Sequence, residues 1–535
     1  MSRVNVKAVM CAGVMGLASV TTAQETAPIK EPPSPPKKVA LTNARIIPVV
    51  GSEIEKGTVL IENGKIAAIG TDVTVPYDAM EVDCAGKVLM PGLIDPHSAR
   101  GLDVPNENVA VTPFLNVYDA IDPSRLFFED SLRDGITSVH VIVGNDCVIG
   151  GVSRVVRPIG MTVDEMTVAP DVAMKLSTSP KGGFDRMQQM AAMREAFEGL
   201  DESLERLAER TYEEKLKKDE KKMDVSVAEA RKRGKELIKD EDYDDRQANL
   251  VRLRRGDLSG WIYCGEAMDV GPAIRLATDQ KIMDKVVFVL GPECYKAAAE
   301  LKRAKRPVVL DENLYYRERD ELTGELKETF VPGVFREAGI PFALQTNPNS
   351  SMAERYLTYQ AATCVRNGIP RQAALESITL NPAKFLGLEA SLGSLEVGKT
   401  ANIVAFSGDP LDFSSWVELV YIDGIKAYDR EKDVRLDELL KLERKVDARE
   451  KEKKAAEAAA GEKKDEAGKP ADAAGENPKP DAGKEGDGAG PAGERGPGAG
   501  GPGRRRQRPS TPPEEKKPES PGTSASGSAN EGGTR

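Results

Sequence analysis

Only two histidines, His97 and His140, occur in 535 residues. Histidine is the commonest metal ligand and the general base best matched to neutral pH, so this number confines both chemistries. His97 ends the run Val88-Leu-Met-Pro-Gly-Leu-Ile-Asp95-Pro-His97-Ser-Ala99-Arg100. The run reads as a buried strand entered through a Pro-Gly turn. Strands covered on both faces are apolar throughout and deliver polar residues at their C-terminal ends, where barrel enzymes keep their chemistry. Asp95, Arg100, Glu266, Asp311 and Glu312 all fall near such ends. Carboxylates there would hold a hard cation such as Mg²⁺ or act as an acid–base pair. Cys264 offers a thiol, with no histidine placed to activate it. The pocket candidates are therefore Asp95, Arg100, Cys264, Glu266, Asp311 and Glu312, with His97 the one candidate metal ligand. His140, in mid-strand, reads as a packed core histidine. No phosphate-binding glycine loop or serine elbow is present; Gly150-Gly-Val152 and Lys181-Gly-Gly183 read as turns.

These residues need a scaffold, and the pattern predicts one. Strands are expected at 135–143, 171–176, 258–264, 285–290, 306–310 and 340–345, with helices such as 270–280 and 293–305 between them. With the opening run this makes seven strands. The alternation predicts an α/β protein, a (β/α)8 TIM-like barrel over 91–390. Asn63-Gly64 and Asp423-Gly424 each mark a hairpin. The β segments 38–90 and 391–430 are expected to join as a small composite β-sandwich domain built from N- and C-terminal segments. An insertion at 185–256 is dense in Glu, Lys and Arg, with Met187, Met190, Met193, Phe197, Leu200, Leu204 and Leu207 at helical spacing. It predicts a helical hairpin packed on the barrel.

The ends read differently. Residues 1–23 carry Arg3 and Lys7, an apolar run from Ala8 to Val20, and Thr21-Thr22-Ala23 before Gln24. This is the pattern of a Sec-type signal peptide, and it predicts a periplasmic or extracellular protein. A Pro-rich linker follows at 24–37. Residues 431–460 form a charged helix, and 461–535 are a low-complexity tail, expected to be disordered, with a basic cluster at Arg504-Arg-Arg-Gln-Arg508. Past the signal, Cys84, Cys147, Cys264, Cys294 and Cys364 are too scattered for a disulfide framework, although one bridge is compatible with the count. A net charge of −11 argues against a nucleic-acid partner.

Pro91-Gly-Leu-Ile-Asp95-Pro-His97-Ser-Ala99 closely resembles the first barrel strand of the amidohydrolase superfamily, usually PGLID-x-H-x-H. Asn381-Pro-Ala383, Leu386-Gly387 and Gly393-Ser-Leu-Glu-Val-Gly-Lys-Thr-Ala-Asn402-Ile-Val404 resemble its C-terminal pattern, with Asn402 in place of an Asp. The resemblance extends to the imidazolonepropionase-like members and covers about residues 38–430. It implies metal-dependent hydrolysis of non-peptide carbon–nitrogen bonds, the metal activating water. The implied ligands are two strand-one histidines, one histidine each from strands five and six, an Asp from strand eight and, in some members, a carboxylated lysine on strand four. Here the second position is Ala99. The fifth-strand position falls at Tyr263-Cys264, the sixth at Leu290-Gly291 and the eighth at Gln345-Thr346-Asn347; Lys175 is on strand four. The expectation is a catalytically degenerate relative without a cofactor. It would bind a small molecule or a protein partner, form a homo-oligomer, or pair with an active relative. The alternative is an active hydrolase rebuilt from the mouth carboxylates, with Zn²⁺ or Mg²⁺ as cofactor.

Overall fold

A computed structural model describes residues 37–223, 225–346 and 356–442, together with 444, 445, 449 and 451. The segments expected as a signal at 1–23, a linker at 24–36 and a low-complexity tail lie outside the described residues, as does Asn347. The N-terminal strands are β1 (Lys38–Ile46), β2 (Ile54–Glu62), β3 (Lys65–Gly70), β4 (Met80–Asp83) and β5 (Val88–Pro91). The next elements are β6 (Leu93–Ser98), α1 (Leu126–Arg133), β7 (Ile136–Val141), β8 (Ile149–Val152), β9 (Arg154–Val156), α2 (Val163–Met166), β10 (Thr167–Ala169) and β11 (Ala173–Ser177). Three helices interrupt: α3 (Arg186–Lys218), α4 (Val227–Lys235) and α5 (Asp245–Arg255). Then come β12 (Ser259–Cys264), α6 (Ala267–Asp279), β13 (Val286–Leu290), α7 (Ala298–Ala304), β14 (Val308–Leu310), β15 (Tyr315–Arg319), β16 (Leu326–Phe330), α8 (Val331–Ala338) and β17 (Phe342–Leu344). The chain continues through α9 (Leu357–Arg366), α10 (Arg371–Glu376), α11 (Leu380–Phe385), β18 (Ile403–Phe406), β19 (Val417–Ile422) and β20 (Ile425–Asp429). A helix at 434–442 follows.

Both ends of the described chain share one eight-stranded sheet, ordered β20-β19-β18-β5-β1-β2-β3 with β4 beside β1. β18 returns antiparallel to β5, pairing Ile403 with Pro91 and Phe406 with Val88. Leu41, Ile46, Ile61, Leu89, Ile403 and Ala405 form its core. At each expected hairpin both turn residues take positive φ: 49° and 77° at Asn63-Gly64, 51° and 74° at Asp423-Gly424. Two successive left-handed residues match the twist of the flanking strands. The opening run splits between sheets at Gly92. A Cβ there would collide with Thr137 Oγ1, so only glycine lets β5 hand over to β6.

All seven expected strands are present. β6 pairs with β7, and β11, β12, β13, β14 and β17 pair in succession, every pair parallel. Along each strand the side chains alternate between two buried layers. Ile94, Ala173, Trp261, Val287, Val289, Val309 and Ala343 face one another on the inner side. Ile262, Phe288, Leu310 and Leu344 face the helices. Coverage of both faces explains why these strands read as continuous apolar runs.

Between β7 and β11 the structure departs from the expected turns. Gly150 and Gly151 lie inside β8, which is antiparallel to β11, and β9 is antiparallel to β7 with only Ser153 between the two. Neither glycine takes a positive φ. Their role is space: a Cβ on Gly150 would collide with Val143 and come within 3.1 Å of Lys175 Cβ, and one on Gly151 would come within 2.8 Å of Leu115 O. On the far side, residues 377–378 lie between β17 and β6. Leu344 N donates to Ser377 O, and Ile94 N to Ile378 O.

The charged insertion forms α3, α4 and α5. α3 opens on a capping box between Asp185 and Gln188. Its inner half buries Met193, Phe197 and Leu200 against the body, and its outer half packs Tyr212 and Leu216 on Ala230 of α4. Met187, expected on the apolar face, is 78% exposed. The buried residue of that first turn is Gln189, whose amide donates to Cys147 O and Ser177 O and accepts from Lys181 N. The five cysteines from Cys84 onward are free and buried, so the single bridge allowed by the count does not form among them.

Candidate functional site

A cavity of about 810 Å³ opens over the C-terminal ends of the parallel strands. β6 contributes His97 and Ser98, with Ala99 and Arg100 just beyond it. Asn145 follows β7, Tyr263 comes from β12, Asp311 and Glu312 follow β14, and Gln345 and Thr346 follow β17. Arg125, Leu126 and Phe127 at the start of α1 form one lip.

Beneath the floor is a residue whose role the sequence did not disclose. Lys175, in β11, is fully buried. Its Nζ lies 2.7 Å from His97 Nε2 and 2.7 Å from Asn145 Oδ1, and 5.5 Å from the centre of the Tyr263 ring. Both near atoms are acceptors for an ammonium, so Lys175 donates to each. His97 then carries its ring proton on Nδ1. Burial lowers the Lys175 pKa to about 8. Burial, and then the Lys175 charge, drive that of His97 well below the usual imidazole range, so the ring is neutral. A signal was available: within Ala173-Met-Lys-Leu-Ser177 one charge interrupts a strand buried at every position.

The carboxylates divide. Asp95 does not line the cavity. It is fully buried, accepts Thr346 Oγ1 at 2.6 Å and lies 3.5 Å from the amides of Thr346 and His97, tying β6 to the end of β17. Burial pushes its pKa up to about 6, with these bonds and Arg100 pulling the other way. Asp311 and Glu312 do face the cavity. Burial and then the Asp311 charge raise Glu312 to about 7; burial also raises Asp311. Gln345 Nε2 donates to Glu312 Oε2 at 3.3 Å. Arg100 faces the cavity too, its guanidinium 5.1 Å from the centre of the Phe127 ring.

Two candidates lie elsewhere. Cys264 is one residue past Tyr263, and the two-residue period turns its thiol to the helix layer beside Thr178 Oγ1. Burial raises that thiol to about 12, far from a reactive thiolate. Glu266 precedes α6 and pairs with Arg186 of α3, away from the cavity. His140 is fully buried, its Nδ1 2.7 Å from Pro96 O, its Nε2 2.6 Å from Ser153 Oγ and its ring 4.5 Å from that of Trp261. These bonds fasten β7 to β6 and to the residue between β8 and β9.

The metal that the resemblance implies finds no fitting donor set among the described residues. Among the described residues no three His, Cys, Asp or Glu side chains converge on a metal site. The Nε2 lone pair of His97 is held by Lys175, and Ala99, Tyr263 and Gln345 stand where the resemblance implies ligands. Three or four N, S or O donors around a common point are needed, and one imidazole beside an ammonium does not supply them.

Comparison with known proteins accords with the fold. The amidohydrolase family model matches residues 336–427. The amidohydrolase tasK of Hapsidospora irregularis is 22% identical over 409 residues, covering 70% of this chain and 40% of that protein. An imidazolonepropionase of Pseudomonas savastanoi pv. phaseolicola is 38% identical over 99 residues, 17% of this chain and 24% of that protein. The chain thus spans less than half the length of these curated relatives. The crystal structure of an amidohydrolase from Thermotoga maritima aligns with a TM-score of 0.61 and 28% identity, over 73% of this chain and all of that one. The C-terminal segment thus matches the amidohydrolase family model, and the fold is similar to that of a solved amidohydrolase.

Proposed function

We propose that this protein is a catalytically degenerate amidohydrolase that binds a small polar molecule at the mouth of a (β/α)8 barrel without metal-dependent hydrolysis. The strand order supports the barrel, with β8–β9 as an antiparallel stave and the Asp95–Thr346 tie at the seam. The shared sheet of β1–β5 and β18–β20 supports a composite β domain, and the signal-like residues 1–23 support export. The observation that carries the functional reading is the donor set around His97, where Lys175, Ala99, Tyr263 and Gln345 stand in place of ligands. The cavity remains large enough for a small molecule and is lined by Arg100, Arg125, Asn106 and Glu312, groups suited to a ligand with both donors and acceptors.

The test is to purify the protein, quantify bound metal, and assay a panel of amide, lactam and cyclic-imide substrates with and without Zn²⁺ or Mn²⁺. The reading predicts substoichiometric metal and no metal-stimulated turnover. Stoichiometric metal with turnover abolished by His97→Ala would overturn it.

One observation favours a second reading, an acid–base hydrolase. Asp311 and Glu312 are adjacent carboxylates facing the cavity, and Glu312 is raised to about 7, where a general acid is effective. Metal-independent turnover on that panel, with a pH–rate limb near 7 that disappears in Glu312→Gln, would establish it over the first.

A further inference from the structure

A lysine with no exposed surface is costly unless its charge is needed, and the chain makes specific room for this one. Gly150, in the neighbouring strand, leaves the space that the Lys175 stem occupies; a Cβ there would stand 3.1 Å from Lys175 Cβ. Nζ is satisfied by His97 Nε2 and Asn145 Oδ1, each at 2.7 Å, and among the described residues no carboxylate pairs with it. The ammonium is therefore seated by neutral acceptors, one of them the imidazole that the family's motif assigns to a metal.

We infer that the Lys175 ammonium is a built-in replacement for the metal, filling by hydrogen bond and by charge the space that a divalent cation on His97 would need, and so excluding such cations from His97. The argument is geometric. Zinc binds an imidazole nitrogen at about 2.0–2.1 Å along its lone pair. That lone pair already accepts the Lys175 proton, and a metal on it would sit against a like charge on a fully buried side chain, where repulsion is strong. The inference rests on the metal-free reading above and explains how that state is enforced.

The test uses nitrogen NMR on the full chain with ¹⁵N-labelled histidine. There are only two histidines, so His97→Asn assigns both. His97 should show an unprotonated, hydrogen-bonded Nε2 and a protonated Nδ1, unchanged by added Zn²⁺. A protonated Nε2, or an Nε2 resonance that shifts and saturates at one equivalent of Zn²⁺, would overturn the inference. A second arm restores the missing imidazole. Ala99→His should bind Zn²⁺ at least about tenfold more weakly than Ala99→His/Lys175→Met, because only the first keeps the buried cation. Equal affinities would overturn the inference; if either variant fails to fold, the wild-type spectrum decides. Zinc on wild-type His97 without turnover sinks this inference and leaves the ligand-binding reading in place. Turnover with His97 still bonded to Lys175 does the reverse.

Discussion

Replacing His140 by phenylalanine separates the hydrogen-bonding role of a buried histidine from its packing. Phenylalanine preserves a ring against Trp261 but removes the bonds to Pro96 O and Ser153 Oγ. Each group left unsatisfied in the core costs about 1–3 kcal/mol, so His140→Phe, which orphans two, should lose about 2–6 kcal/mol at pH 7. That difference should shrink in acid. Burial lowers the His140 pKa to about 3, whereas the unfolded chain titrates near 6.5. Between these values only the unfolded state binds the proton, so stability rises with pH and is lost as pH falls below 6.5. The loss is about 1.4 kcal/mol per pH unit, or about 2 kcal/mol on reaching pH 5. The phenylalanine variant lacks this dependence, and other titrating groups are common to both proteins. Urea unfolding at pH 7 and pH 5 should therefore show the difference falling by about 2 kcal/mol. An unchanged difference would refute the argument, because His140 would then titrate alike in both states.

Three further substitutions test the supports of the cavity. Gly150→Ala forces a methyl into Val143 and toward the Lys175 stem, and should cost about 1–3 kcal/mol; an unchanged urea midpoint would show that the close approach is not required. Thr346→Val removes the hydroxyl donated to Asp95 and should cost about 1.5–3 kcal/mol above pH 6, where Asp95 is ionised; an effect equal at pH 8 and pH 4 would contradict that. Asp433 accepts from Arg133 Nε at 2.8 Å and Tyr428 OH at 3.0 Å, joining α1 to the helix at 434–442, and the Arg133 bond above all lowers its pKa to about 2. Its stabilising effect is present above the unfolded pKa near 4 and fades as pH falls toward 2. Asp433→Asn should thus cost about 1–2 kcal/mol at pH 7, allowing for the partial exposure of Arg133, and little near pH 2; equal losses would rule out the ion pair as the cause.

What the sequence disclosed and what it hid follow from the range of each interaction. Strands buried on both faces are apolar over their own length, and the Asn-Gly and Asp-Gly hairpins are local, so both could be read directly. The errors lie where register decides. Cys264 and Tyr263 are adjacent, and a one-residue difference sends one to the helices and the other to the cavity. Gly150 and Gly151 read as a turn because paired glycines usually supply positive φ; here they supply space beside Leu115 and Lys175, which only the paired strand reveals. Glu266 follows a strand end yet faces away from the cavity, because its partner Arg186 begins an insertion 80 residues away in sequence.

Of the polar groups under this mouth, His97, Asp95 and Lys175 are bonded to other parts of the protein, to Asn145, Thr346 and one another. Among the ligand positions that the resemblance implies, His97, Ala99, Tyr263 and Gln345 line the open space, and only His97 carries the implied residue type. A metal ion would normally draw residues from several strands to a single point. Here direct hydrogen bonds do that work: Lys175 joins β11 to β6 and to the residue after β7, and Asp95 joins β6 to the end of β17. Such bonds need no ligand to form, so the mouth should keep its shape when empty. On this account, thermal stability of the purified chain should be indifferent to EDTA. A drop in melting temperature on chelation, restored by Zn²⁺, would show that a metal still performs the task assigned to Lys175.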